Sequence, residues 1–279
     1  VRITVFFQQP IPVSLLTKIA PAYTTTVVQE ALAAIVQQSL LVYDSQEGVV
    51  YAPPLIRDDL LGQLRADERL RWHRVAADYY EAQCNYWEAA RHWRLAGDSE
   101  TAAHLLIEHY PTIMNRLKGH ELDELLAAFQ PTEVAATTWA RLKLVSGRLA
   151  EGRANFPLAA AAYGEALQTV EVPVKAEAHY RLAKILEYRN LDEALVHYPR
   201  GIELLERTGV DNPLLVRMYI HRSWIFIQHR QDFGRADASL QRAKALIDPA
   251  NRQDYADLYN ASGELFHRTG KWEYAVEER

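Results

Sequence analysis

The sequence predicts a mainly α protein: a small mixed unit at the N-terminus, then an α-solenoid of short helical hairpins. Three observations carry that expectation. Gly147 to Leu167 reads as the end of one helix, a turn, and a second helix with one apolar face. The same arrangement of turn residue, small residue and aromatic returns further along the chain. Residues 1 to about 64 instead combine two helical stretches with two short β-branched and aromatic runs around a turn.

In the hairpin, Asn155 is placed to cap the second helix. Pro157 falls in its first turn, where a missing N–H costs nothing. Phe156, Ala159, Tyr163 and Ala166 then lie on one helical face. A hairpin this short cannot bury that face alone and needs copies on either side. The copies are Leu191 with Ala194, Tyr198 and Ile202; Phe233 with Ala236, Leu240 and Ala243; and Trp272 with Ala275. The small residue upstream, where two helices approach closely, is Gly147, Ala183 and Gly263, with Trp224 in the third copy. The anchors at 156, 191, 233 and 272 are 35, 42 and 39 residues apart. With longer turns, this fits a basic period of about 34. Residues 135 to 279 therefore resemble the tetratricopeptide (TPR) repeat family.

Bulk composition narrows the function. Hydrophobic residues make up 49% and charged residues 24%, an ordinary globular composition. The single cysteine, Cys84, excludes an internal disulfide framework and suits a cytoplasmic protein. No apolar run approaches the roughly 18 residues of a membrane span. Both ends read as cut, which suggests part of a larger protein. The net charge is −5, and neither half has the basic excess of a nucleic-acid binder.

The N-terminal unit, residues 1–65, opens with an apolar edge (Ile3, Val5, Phe6 and Phe7), which Pro10 and Pro12 break. A short helix is expected over Val13–Ile19. After the capping cluster Thr24–Thr26 comes an amphipathic helix, Val27–Gln38, with Val28, Leu32, Ile35 and Val36 inward. Leu40–Tyr43 and Val49–Tyr51 read as two strands around the turn Asp44–Gly48. Pro53–Pro54 ends the second strand, and a helix through Leu64 follows. Helix, helix, two-stranded wing, helix is the plan of a winged-helix domain.

The run Ala31–Val42, the wing, and Pro54-Leu-Ile-Arg57 with an acidic residue after it resemble the winged-helix domain of STAND proteins. These are signal-transduction ATPases with numerous domains, including the MalT-type regulators. The family often places a His before Pro-Leu-x-Arg to read the nucleotide. Pro53 stands there, and this departure from the family pattern takes away the basis for expecting a direct nucleotide contact from this unit. Direct DNA binding is not expected either. The helix that would enter a groove, Val27–Ser39, has Glu30 as its only charge, whereas phosphate and base contacts lean on cations.

Residues 66–132 read as a helical linker of atypical repeats. Asp67 is expected to cap a helix with Leu70, Trp72, Val75, Ala76, Tyr79 and Tyr80. The next carries Trp87, Ala90, Trp93 and Leu95 and ends at Gly97. Asp98 caps a third with Ala102, Leu105, Leu106 and Tyr110, and Pro111 starts a new turn. Leu122, Leu125, Leu126 and Phe129 close the region. Ala89–Ala103 resembles the linker between winged helix and TPR array in MalT-type proteins. The tryptophans read as core residues. The array takes 133–279, with Pro199 inside the second hairpin's second helix expected to kink it.

No catalytic pattern emerges. Gly-x-x-x-x-Gly-Lys-Ser/Thr is absent, and Gly270-Lys271 runs into Trp272. His120-Glu121 lacks the second His of a zinc helix. Cys84 has no cation beside it in sequence. No enzyme is therefore expected in this chain, and no metal or cofactor. ATP or ADP with Mg would belong to a nucleotide-binding domain elsewhere.

The TPR resemblance implies a groove lined by the first helices. Its inward positions are Arg141, Leu144, Arg148 and Glu151; Glu177, Tyr180, Lys184 and Glu187; Met218, His221, Ile225 and Gln228; and Asp257, Asn260, Glu264 and His267. Arg141, Arg148 and Lys184 would attract the anionic end of a ligand. The candidate ligand residues are Arg141, Arg148, Glu151, Tyr180, Lys184, Glu187, His221, Gln228, Asn260, Glu264 and His267. The expected function is a STAND sensor. The array would take a small-molecule, peptide or protein effector, and the winged helix would couple it to the nucleotide-binding domain. Oligomerisation on activation and a role in transcription come from the family alone. The alternative is a TPR scaffold without a nucleotide switch.

Overall fold

Short polar residues set the helix starts in this chain. In the computed structural model, which describes residues 7, 10–20, 22–54, 65–116, 120–209 and 212–271, seven of them accept a backbone N–H at the head of a helix. They are Thr24, Asp98, Asn155, Asn190, Asn212, Asp232 and Asn251. Each satisfies a donor that the first turn leaves open. The chain divides into two compact units, 1–138 and 139–279.

In the first unit, β1 (Ile11–Pro12) leads into α1 (Val13–Ile19), α2 (Thr25–Gln37), β2 (Val42–Asp44) and β3 (Val49–Tyr51). The strands form an antiparallel sheet in the order β1-β3-β2. Its register pairs Ile11 with Val50 and Tyr43 with Val50 on the other side. The hairpin expected over residues 40–51 is present, starting at Val42. Strand β1 is an addition to the expectation: Pro12, read as a chain breaker, pairs with Val49 on the sheet edge, where a missing donor is tolerated. Phe7, Ile11, Leu15, Leu16, Ile19, Leu32, Leu41 and Val50 form the core, with Val28, Ile35, Val36 and Trp72 against it. Ile3, Val5, Phe6 and the helix expected after Pro54, including Arg57, lie outside the described residues.

The rest of the unit is helical: α3 (Ala66–Ala82), α4 (Tyr86–Leu95), α5 (Ser99–Arg116) and α6 (His120–Ala127). Asp67 is not the cap of α3. Arg65 holds that position, and Asp67 sits in the first turn, where the helix dipole favours a carboxylate. Pro111 starts no new turn, because α5 runs through it. Leu70 and Leu95 are exposed, so neither belongs to an apolar face. Ala76, Ala89, Ala90, Ala102, Leu106 and Leu122 are fully buried. The Trp93 indole N–H donates to Glu81 at 3.1 Å.

The second unit is a run of hairpins. Helix α7 (Ala136–Gly152), which begins just before the boundary, precedes α8 (Phe156–Ala166). Then come α9 (Val172–Leu186) with α10 (Leu191–Glu206), and α11 (Pro213–Ile225) with α12 (Phe233–Leu246). Helix α11 runs on as a π-helical turn, Phe226–Arg230, and α13 (Arg252–Thr269) follows. The expected anchor faces are buried: Ala159, Tyr163, Ala166, Ala194 and Tyr198, then Ala236, Leu240 and Ala243. Trp272 and Ala275 lie outside the described residues.

Gly147 explains the closeness of the first hairpin. A Cβ there would fall within 2.8 Å of three ring carbons of Tyr163. Nothing described lies within 4 Å of such a Cβ at Gly263, and the hairpin partner expected there falls outside the described residues. Pro199 sits inside α10, which continues unbroken to Glu206.

Candidate functional site

The turns between paired helices decide which side chains reach the first-helix face. Cys84, Ala154 and Gln231 each stand two residues before a second helix with φ of 54°, 57° and 51°. That left-handed step lets the following Asn85, Asn155 or Asp232 bond back to the preceding helix and start the next. The face is built from α7, α9, α11 with its π turn, and α13.

On that face, residues one repeat apart bind each other. Arg141 donates from Nε and Nη2 to the two oxygens of Glu171, at 2.8 and 3.0 Å. Arg148 donates to Glu177 from Nε, at 3.0 Å, and from Nη2. Arg181 reaches both Glu177 and Glu151 at 3.4 Å. Glu187 accepts from the Tyr198 hydroxyl and pairs with His221 Nδ1 at 3.3 Å. Arg217 donates to Asp254 at 2.8 Å, and Asp254 is only 1% exposed. Gln228 donates to Glu264 at 3.0 Å, and Arg268 donates to both residues at 2.8 Å.

Most of the candidate residues therefore belong to a ladder between successive first helices. Planar, two-pronged arginine pairs of this kind fix geometry as well as adding energy. Arg141 and Arg148 already hold carboxylates, so that end of the face carries little free positive charge. Leu144, Met218 and Ile225 do not face inward: they are 6%, 0% and 2% exposed and belong to the core. Tyr180 is likewise buried. Lys184 lies over its ring at 5.8 Å and pairs with no carboxylate among the described residues. Asn260 and His267 are exposed on α13. Arg181, Glu171, Arg217, Asp254 and Arg268 were not singled out from the sequence. Opposite charges roughly one repeat apart are the signal that marks them.

Two tyrosines on second helices close the ladder from below. The Tyr163 hydroxyl donates to Glu151 at 2.7 Å, and that of Tyr198 donates to Glu187. Burial, reinforced by these carboxylates, raises both phenols well above their ordinary range, so they stay protonated and can donate to the carboxylates. In the third hairpin the same two positions are Gln228 and Leu240, where an apolar residue needs no acceptor. No group of three metal-ligating side chains occurs among the described residues. Nor is any described helix long and apolar enough to cross a membrane.

The hairpin series is a helical-repeat fold of TPR type, preceded by a small mixed α/β unit. The same fold occurs in a signal transduction ATPase with numerous domains (STAND) from Pyrococcus horikoshii that carries a tetratricopeptide repeat sensor. The likeness has a TM-score of 0.58 at 15% identity and covers 99% of this chain. The chain spans 42% of the length of that protein. No family model and no curated protein matches the sequence.

Proposed function

We propose that this chain is the sensor and coupling part of a STAND-type ATPase. The TPR hairpins receive an effector, and the N-terminal unit acts as a winged helix that relays its presence to a nucleotide-binding domain outside this chain. ATP or ADP with Mg belongs to that domain, and this chain is regulatory rather than catalytic. The observation supporting the reading is the order of parts: a small mixed unit, intermediate helices and hairpins, shared along nearly all of the chain with a STAND protein bearing a TPR sensor. Within the array, Lys184 on Tyr180, with Asn260 and His267, are the groups of the first-helix face we assign to the effector. The MalT-like output, transcription in the cytoplasm after oligomerisation, belongs to the same proposal.

The test is the coding sequence upstream of Val1. A phosphate-binding Gly-x-x-x-x-Gly-Lys-Ser/Thr followed by an acidic strand end is the expected result. An upstream sequence without them would remove the switch and leave a TPR scaffold. One observation favours that second reading: the ladder satisfies most charges of the first-helix face internally, as a rigid platform for a protein partner requires. Duplex DNA is not a ligand in either reading. Helix α2 presents no cation, so a labelled duplex at low salt should stay unbound.

A further inference from the structure

One cavity in the second unit lies off the first-helix face. Leu195 and Pro199 of α10, Arg222 and Phe226 from the end of α11 and its π turn, and Arg235 and Ala238 of α12 line an open cleft of about 390 Å³. That volume is in the range of small-molecule sites. Four of the six lining residues are apolar and two are arginines.

Arg222 is the unusual member. Its Nε and Nη2 both donate to the Ser239 hydroxyl, at 3.3 and 3.1 Å, and its guanidinium lies 5.0 Å from the Tyr219 ring centre. It pairs with no carboxylate among the described residues. Glu206, whose charge acts on Arg222 from a distance, is already engaged. It accepts from Tyr219 at 2.6 Å and from Arg242 at 2.9 Å. A guanidinium has five N–H donors, so most of those on Arg222 remain for another acceptor. Burial lowers the pKa of Arg222, and the charges of Tyr219 and Glu206 offset only part of that effect. The contrast with the ladder is direct: Arg141, Arg148, Arg217 and Arg268 all hold a carboxylate or share one. Arg235, on the other wall, is 73% exposed and holds Asp232 only at 3.4 Å. It is free to swing toward an anion between the two walls.

We infer that this cavity is a binding site for a small organic carboxylate with a flat or branched apolar body. The carboxylate would bond directly to Arg222, which no carboxylate among the described residues does, with Arg235 closing from outside. The body would lie against Phe226, Leu195, Pro199 and Ala238. A free phosphate would meet the arginines but leave those walls unused. This site is separate from the first-helix face and stands whether or not the chain belongs to an ATPase.

Benzoate is a suitable probe for the full chain, with benzamide as its neutral isostere and inorganic phosphate as competitor, followed by calorimetry or ligand-observed NMR. At the lower end of ligand efficiency, a probe this small binds in about the millimolar range, so the titration extends to that concentration. The expected result is saturable benzoate binding. Benzamide, or the variant Arg222→Gln, should weaken it by about tenfold or more, as for a lost hydrogen bond to a charged group. Because Arg222 is half-buried, Ala238→Trp serves as the second variant: Ala238 is exposed at the cavity mouth, so the indole should block entry while the melting temperature stays unchanged. Several results would overturn the inference. They are equal binding of benzamide and benzoate, undiminished binding in a folded Ala238→Trp variant, displacement by phosphate at equal concentration, or no saturable binding at all.

Discussion

Two glycines in the first hairpin should respond in opposite ways to the same change. Gly147 lies inside α7, and an added Cβ would come within 2.8 Å of three ring carbons of Tyr163. That ring is fully buried and its hydroxyl is bound to Glu151, so it has nowhere to move. Gly164 lies on α8 with nothing within 4 Å of its would-be Cβ. Replacing glycine by alanine inside a helix gains up to about 1 kcal/mol from backbone entropy. At Gly164 that gain should appear nearly whole. At Gly147 it is opposed by overpacking of about 1–3 kcal/mol and by strain on the Tyr163–Glu151 bond. The expected outcome is that Gly164→Ala stabilises by about 0.5–1 kcal/mol and Gly147→Ala destabilises by about 1–2. In a chain of this size each kcal/mol moves the melting temperature by about 2–4 °C. Urea titrations followed by circular dichroism would measure both. A double variant with Tyr163→Leu tests the cause: removing the ring should make Gly147→Ala nearly harmless, a coupling well above the additive limit. If Gly147→Ala raised the midpoint as Gly164→Ala does, or the pair were simply additive, close packing of the glycine against the ring would be refuted.

The hairpins were legible because each is specified by residues near in sequence. A cap, an anchor, an alanine three residues on and a large residue seven on suffice to place Phe156, Ala159 and Tyr163, and their copies. The turn over Asp44–Gly48 was readable for the same reason. What escaped depended on partners far apart. Strand β1 is two residues long and contains a proline, and it exists because Val49 and Val50 lie beside it. The charged residues of the first helices were placed on the right elements, but their chemistry was not legible. Arg148 alone looks like a ligand residue, and beside Glu177 it is a strut. Three helices build the Arg222 cavity, and no local pattern announces it. Local codes of this kind specify repeats, whereas sites arise from the spacing between repeats.

Three further outcomes test the account. Arg148→Glu should destabilise the array by about 1–3 kcal/mol in urea titration, since it sets like charges against Glu177, whereas Lys184→Glu should change stability by less than about 0.5 kcal/mol. Equal effects would count against the ladder. Ala154→Gly should raise the melting temperature slightly, by relieving a left-handed alanine that costs about 1 kcal/mol against glycine's larger unfolded-state entropy; a clear loss would show that the turn is not strained. The third outcome concerns two histidine pairs, His73 with His92 (part-buried) and His179 with His197 (buried), whose Nδ1 atoms lie 2.8 and 2.9 Å apart. One nitrogen must donate and the other accept, so each bond requires an unprotonated partner. Burial, helped by Arg91 for one and by the His197 ring, Arg200 and Lys175 for the other, holds His73 and His179 down at about 4. In the unfolded chain these residues titrate near 6.5. The unfolded state therefore binds more protons between these values, and stability present above pH 6.5 is lost as pH falls toward 4. For one histidine the full loss is up to about 3 kcal/mol. Carboxylates held low by their partners, such as Glu206 and Glu264, begin to contribute only below their ordinary range near 4.5. The interval from pH 6.5 to 5 therefore isolates the histidines. A urea midpoint that stayed level across it would mean that the pairs are not held neutral by the fold.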